Sequence, residues 1–251
     1  MLLTDGNPNC LEDLRIYESA ILDVANVEKI DLVAKMGLAT EEISQEVLNM
    51  LLQHPATDPK SAGRRSVGVS DVVVTRQLKR WHAAQTLAVV YRDAYFNQLN
   101  DRYKYKVTEY ESIAGEAREH AFTYGIGLVS GPVSKAEKPV IQMVAGSGPT
   151  DTVYVRVSWL IGVQEGQPSD ATTIDPLSGQ AGTVTAVHPP LGATGFNVYA
   201  GIGPEMLELQ NATPVPLGSA FTVASIVRGT GLGNGQLPEQ FVTGGPVMRR
   251  G

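Results

Sequence analysis

The chain has 251 residues, enough for one large or two ordinary domains. Its formal net charge of −6 and isoelectric point near 5.3 argue against a nucleic-acid binder that works by neutralising phosphates. The single cysteine, Cys10, excludes an intramolecular disulfide and most thiolate zinc sites.

The first ten residues lack the basic and apolar regions of a signal peptide. No run of about 18 apolar residues occurs, so the sequence predicts no membrane span. We therefore expect a soluble protein that is made and kept in a cytoplasm, with Cys10 reduced.

Charge is distributed unevenly along the chain. Every lysine precedes residue 139, and residues 151–251 hold only four arginines and seven acids. Glycine, proline, threonine and valine fill that second half instead. This contrast is typical of a helical domain followed by a β domain, with the boundary near residues 131–139.

The N-terminal part reads as a series of helices. Leu11–Asn26 has apolar residues at helical spacing, and acidic residues occupy its first turn. Asp31 is expected to cap a short turn that Gly37 interrupts. A further helix is expected to start at an N-cap Thr40 and to end before Pro55, because proline disfavours helical geometry in the preceding residue.

A loop is expected over Ala56–Val69, after which Ser70 or Asp71 would cap a long helical segment. That segment, Asp71–Tyr124, contains no proline and repeats its large side chains at steps of three and four. One continuous helix of this length would span about 80 Å, more than an ordinary domain. We therefore expect a break near Asn97–Asn100, whose residues are weak helix formers.

The segment is rich in tyrosine, and half-polar aromatic side chains on a long helix suit a surface that packs against other protein. The alternative is an amphipathic helix within the core of one monomer, and this segment alone favours neither. The tyrosines are Tyr91, Tyr95, Tyr103, Tyr105, Tyr110 and Tyr124.

The second half changes to strand patterns. Short alternating runs separated by glycine and proline turns indicate an antiparallel β-sandwich. The runs are Val140–Ala145, Val153–Leu160, Thr183–Val187, Phe196–Ala200, Leu207–Leu209 and Phe221–Ile226. The last segment, Gly229–Gly251, has a composition typical of a flexible tail or extended arm.

No chemical site is predicted. The four histidines lack ligand spacing, so we expect no metal site. The glycines of residues 229–235 do not match the dinucleotide fingerprint, because Asn234 stands where the third glycine belongs. Phosphate-binding loops and nucleophile elbows are also missing from the sequence. We expect neither catalysis nor a cofactor.

Several segments of the sequence resemble segments of known protein families. In the first half they are Asp13–Glu18, Val24–Leu32, Glu41–Ile43, Tyr91–Tyr103 and Glu109–Tyr110. With these segments the N-terminal half resembles the helical head-to-tail adaptor, or connector, proteins of tailed bacteriophages. In the second half they are Val153–Trp159, Glu165–Ser169 and Gly192–Tyr199. This half is similar to fibronectin type III and related immunoglobulin-like domains.

The resemblance implies a structural protein of the virion neck, assembled in the host cytoplasm. It implies a ring, usually dodecameric, that sits beneath the portal, joins the capsid vertex to the tail, and helps retain and conduct DNA. The partners would be other copies of the chain, the portal and a tail-side neck or tail-completion protein. Packaged DNA would pass through the lumen without sequence-specific binding, and no membrane would be involved.

The expected architecture is α+β and multidomain: a helical adaptor domain (1–130), a linker (131–139), a β-sandwich (140–228) and an extended C-terminal arm (229–251). Subunit or portal contacts are expected at seven positions. These are Tyr91, Tyr95, Arg102, Tyr103, Tyr105, Arg249 and Arg250.

A tail or baseplate protein that binds the host surface through its β-sandwich is the alternative. An exposed aromatic patch at Trp159, Phe196 or Tyr199 would favour this alternative. The strand alternation, however, predicts that Trp159 and Tyr199 are buried.

Overall fold

The computed structural model describes residues 1–53, 67–98, 101–175 and 178–244. The chain forms an N-terminal helical region followed by antiparallel β-sheets, so the fold is α+β. It divides into two compact units. The helical unit comprises Gly6–Ser130 and Pro238–Gly251, and the β unit comprises Met1–Asp5 and Gly131–Leu237.

Five α-helices lie in the described part of the helical unit. They are α1 (Leu11–Tyr17), α2 (Ile21–Glu28), α3 (Leu32–Gln53), α4 (Arg76–Gln98) and α5 (Lys104–Tyr124). The sequence predicted one helix over the region of α1 and α2, but the chain leaves helical geometry at Glu18, whose backbone is extended. Apolar side chains from all five helices, among them Leu14, Met36, Leu87 and Tyr110, form one core.

Helix α3 differs from the sequence prediction because it runs unbroken through Gly37 and Thr40. A glycine inside a helix costs about 1 kcal/mol relative to alanine. Burial of Met36, Ala39 and Ile43 on either side offsets that cost. Thr40 is therefore not an N-cap.

Helix α4 begins later than predicted. The carboxylate of Asp71 accepts from the amide of Gly68 at 2.9 Å and closes a separate 3₁₀ turn. The hydroxyl of Thr75 accepts from the amide of Leu78 at 3.3 Å, so Thr75 caps the helix in place of Ser70 or Asp71. The predicted break is confirmed, because α4 ends at Gln98 and α5 starts at Lys104 after a 3₁₀ turn.

The helical unit also contains a two-stranded sheet that the sequence did not predict. Strand β1 (Ile126–Leu128) pairs antiparallel with β10 (Gln240–Val242). Each strand has three residues, too few for a recognisable alternation.

The remaining strands form two sheets of the β unit. One sheet has the order β2-β6-β9, and the other has the order β4-β3-β7-β8 with β5 also paired to β3. All pairs are antiparallel. The strands are β2 (Val140–Ala145), β3 (Val153–Ile161), β4 (Gln164–Glu165), β5 (Thr172–Ile174), β6 (Gln180–Thr185), β7 (Gly195–Gly201), β8 (Glu208–Leu209) and β9 (Phe221–Val223).

Side chains of both sheets share one apolar core. Trp159 and Phe196 lie opposite each other on β3 and β7 and meet edge to face, with ring centroids 5.9 Å apart. Val184 and Val223 join them from the other sheet. The predicted burial of Trp159 is confirmed, and that of Tyr199 is confirmed as well.

The segments assigned to a linker and an arm are integrated into the fold. Val133 and Ala136 of the expected linker are buried in the core of the β unit. Residues 229–237 are hydrogen-bonded to the strand region of the β unit through Leu207 and Leu209. The prediction of contiguous domains is therefore wrong. Over residues 229–244, the part of the expected arm that the structure describes, the chain is bonded to the two units and is not a free arm.

Candidate assembly interface

The antiparallel helices α4 and α5 pack along one another and form a hairpin. Its turn exposes Phe96, Arg102, Lys104 and Tyr105, and we call these four residues the hairpin tip. Tyr105 is 86% exposed and Phe96 61% exposed. Exposed aromatic and arginine side chains together are typical of protein interfaces.

Three buried tyrosines stand behind the tip. The rings of Tyr91 and Tyr110 stack at a centroid distance of 5.4 Å and an interplanar angle of 4°. Tyr103 packs against Tyr91 at 5.9 Å. Because these rings come from α4, the turn and α5, they hold the base of the tip in one arrangement.

The hydroxyls of this cluster bind carboxylates on neighbouring helices. Tyr103 donates to Oε1 of Glu28 at 3.0 Å, and Tyr110 donates to Oε2 of Glu18 at 2.9 Å. Nζ of Lys106 lies 2.9 Å from the same oxygen of Glu18. The tip is therefore connected to α1 and α2 by side-chain bonds in addition to apolar packing.

Electrostatics reinforces these bonds. Burial raises the pKa of Tyr110 and Tyr91, and the nearby Glu18 carboxylate raises both further. Burial opposes ionisation of Glu18, but hydrogen bonds from Lys106 and Tyr110 outweigh it and lower its pKa. The carboxylate is thus charged and the phenols are neutral donors at neutral pH.

The outer side of the tip combines aromatic and cationic groups. The guanidinium carbon of Arg102 lies 5.3 Å from the centroid of the Tyr103 ring, a cation–π arrangement. The rings of Tyr95 and Phe96 lie 5.4 Å apart. Binding a partner would have to immobilise the exposed side chains of the tip, but not the buried tyrosines behind them.

The predicted contact residues occupy different environments. Tyr91 and Tyr103 lie in the core of the helical unit, and Tyr95 is half-buried. Arg102 and Tyr105 are exposed at the tip. The other two predicted contacts, Arg249 and Arg250, lie outside the described residues.

Two members of the tip, Phe96 and Lys104, were not among the predicted contact residues. They lie on either side of the expected break in the long segment. This position could have indicated that they are exposed at a turn between two helices.

A polar cluster occupies one face of the β3–β7 pair. Oε1 of Glu165 accepts hydrogen bonds from Ser158, from Asn197 at 3.1 Å and from the hydroxyl of Tyr199 at 2.7 Å. Burial and this carboxylate both raise the pKa of Tyr199. Trp159, Phe196 and Tyr199 are each at most 3% exposed, so they form no exposed aromatic patch.

Within the described residues, no three His, Cys, Asp or Glu side chains are grouped to hold a metal ion. Over the same parts of the chain, no helix is both long and apolar enough to cross a bilayer. Comparison of the chain with protein-family models and with curated protein sequences found no match.

Proposed function

We propose that this chain is a structural protein of a tailed-phage virion, a head-to-tail adaptor that forms a ring beneath the portal and joins the capsid vertex to the tail. The hairpin tip carries the proposal, because it presents Tyr105, Phe96 and Arg102 on a rigid helical base. The adaptor-like pattern of Tyr91–Tyr103 lies in the same hairpin.

The β unit is proposed to be a sandwich of the fibronectin type III or immunoglobulin-like type. Two antiparallel sheets that share one core support this assignment. The pairing of β3 with the non-consecutive β7, and of β7 with β8, suits the Greek-key connections of such sandwiches. In the proposed neck this unit faces outward from the ring.

The proposed partners are other copies of the chain in a ring of about twelve, the portal, and a tail-side neck or tail-completion protein. Packaged DNA would pass through the lumen without base-specific contacts. The place of action is the neck of the virion, assembled in the host cytoplasm. The basic pair Arg249 and Arg250 is assigned to the portal contact.

Electron microscopy of the chain mixed with the portal of the same virus tests the proposal. The expected result is a ring on one end of the portal. Tyr105→Ala should weaken assembly about tenfold or more, as truncation of an interface hot spot does. Tyr124→Ala is the matched control, because Tyr124 is also an exposed tyrosine of α5, at 64%, but lies at its other end.

If the protein is found only on tails or baseplates and not at the portal, the adaptor role is contradicted. A separate deletion of residues 245–251 removes Arg249 and Arg250 and leaves β10 in place. Undiminished portal binding by that variant would overturn the assignment of the basic pair.

The alternative is a tail or baseplate protein that binds the host surface through the β unit. One observation favours it: Ile202 and Met206, in the loop between β7 and β8, are 66% and 73% exposed. If this alternative holds, Met206→Ser should reduce adsorption of virus to cells and leave particle assembly unchanged.

A further inference from the structure

The first three helices surround a shallow groove on the helical unit. Its volume is about 410 Å³, and apolar side chains including Leu11, Leu22, Ala25, Ile30 and Val33 line it. We call these five residues the α1–α3 groove. Leu22 and Val33 are 38% and 59% exposed, whereas Ala25 and Ile30 form a buried floor. A large apolar side chain would find contacts on several sides there.

The hairpin tip has the chemistry that fits this groove. Phe96 and Tyr105 are exposed aromatic side chains on a fixed base. In the single chain both the tip and the groove are exposed, so the tip does not fill the groove of its own copy. A second copy of the chain supplies the missing partner.

The charges of the two surfaces are complementary. The exposed acids along the groove helices and at the start of α3 are Glu12, Asp23 and Asp31, against the exposed bases Arg15 and Lys29. Glu18 and Glu28 of the same helices are already bonded within the copy. The hairpin turn exposes Arg102 and Lys104 against one acid, Asp101. Opposite charge at the rim of an apolar contact favours this orientation of two copies over tip-to-tip or groove-to-groove pairing.

We propose that the hairpin tip of one copy docks in the α1–α3 groove of a second copy. The inference deepens the proposed function and rests on it for its setting, because a ring needs two different surfaces on each copy. Tyr105 and Phe96 enter the groove between Leu22 and Val33, and Arg102 meets Asp31, which lines the groove beside Lys29.

Cross-linking between full-length chains tests this contact. All chains carry Cys10→Ser, because Cys10 is exposed and precedes Leu11 of the groove. Chains with Lys104→Cys, which keep both aromatic side chains of the tip, are mixed with chains carrying Val33→Cys and oxidised mildly. The expected result is a disulfide-linked pair that contains one chain of each kind.

A matched control replaces Val33→Cys by Ile16→Cys, because Ile16 is even more exposed, at 82%, and does not line the groove. This mixture should cross-link at least about tenfold less, since collision alone would favour the more exposed thiol. Equal cross-linking of both mixtures would overturn the inference. So would the absence of mixed pairs at any soluble concentration.

Charge reversal gives an independent measurement by native mass spectrometry. Arg102→Glu and Asp31→Arg should each weaken self-association about tenfold or more, and the double variant should recover most of it. Reversals that are simply additive would contradict the assigned contact.

The two proposals fail in different ways. Tip–groove cross-links in a species that never exceeds two copies would support the contact and contradict the ring. A ring that forms on the portal without these cross-links would support the adaptor role and overturn the contact.

Discussion

The side-chain amide of Asn9 donates to Nδ1 of His82 at 2.9 Å, and this bond fixes the tautomer of a fully buried imidazole. The same amide nitrogen donates to the carbonyl of Lys79 at 2.7 Å, which fixes the orientation of the amide. Nδ1 must therefore accept, and the ring proton lies on Nε2, 3.1 Å from the carbonyl of Met36. The bonds connect the segment before α1 to α3 and α4.

This network predicts a loss of stability in mild acid. Burial lowers the pKa of His82 to about 4 from its ordinary value of 6.5. Between pH 6.5 and 4, His82 therefore binds a proton in the unfolded chain but not in the folded chain. The free energy of unfolding falls as the pH drops through this range. At pH 5 the loss should be about 2 kcal/mol relative to pH 7.

Urea unfolding at both pH values measures this loss. Of the two tryptophans, Trp81 lies in the helical unit and Trp159 in the β unit, so Trp159→Phe makes fluorescence report on the helical unit. His82→Gln cannot titrate and should show a loss smaller by about the same 2 kcal/mol. An identical pH dependence in both proteins would contradict the role of His82.

Two tyrosines at the hairpin turn, Tyr103 and Tyr105, provide a second prediction. Tyr103→Phe removes the donor to the buried Glu28 and should lower the free energy of unfolding by about 2 kcal/mol. Tyr105→Phe removes an exposed hydroxyl and should change it by less than about 0.5 kcal/mol. Denaturation followed at Trp81 compares them, and equal effects would argue against the Tyr103–Glu28 bond.

A third prediction concerns the polar cluster of the β unit. Glu165→Ala leaves the buried groups of Ser158 and Tyr199 without their shared acceptor and should cost about 3 kcal/mol. Glu205→Ala, an exposed acid of the same unit, should cost under about 0.5 kcal/mol. Unfolding is followed by Trp159 fluorescence in a Trp81→Phe background. A near-neutral Glu165→Ala would mean that water replaces the carboxylate.

Two glycines of one region give a fourth prediction. A Cβ on Gly201 would lie 2.0 Å from the carbonyl oxygen of Met206, so Gly201→Ala must displace backbone and should cost about 2 kcal/mol or more. A Cβ on Gly203 meets no described atom within 4 Å, so Gly203→Ala should be neutral within about 1 kcal/mol. The midpoint of thermal unfolding distinguishes the two, and similar shifts would contradict the close approach.

Sequence patterns located long elements well and short ones poorly. The break in the helical hairpin was predictable because weak helix formers interrupt a periodic segment. Strand β3 was predictable because Val153, Val155, Val157 and Trp159 recur at every second position. Strands β1 and β10 were not, because three residues carry no period and their pairing joins positions more than a hundred residues apart.

The hairpin tip was predictable only in part. Tyrosine density pointed to the correct hairpin, but the periodicity did not distinguish Tyr103, which faces Glu28, from Tyr105, which faces solvent. That distinction depends on the 3₁₀ turn at Asp101–Tyr103, which resets the helical phase before α5. The continuation of α3 through Gly37 could not be predicted from the sequence either, because it depends on the burial of α3 against other helices.

Each unit takes one terminal segment from beyond the other unit in the chain. Met1–Asp5 belongs to the β unit, and its amino terminus donates to the carbonyl of Asn234 at 2.9 Å. Strand β10 belongs to the helical unit, although residues 131–237 separate it from β1. On the ribosome, the five helices therefore emerge before the sheets of the β unit, but the helical unit closes only after synthesis has passed residue 242. The helical unit would therefore complete its fold only after residues 131–237 of the β unit have been synthesised.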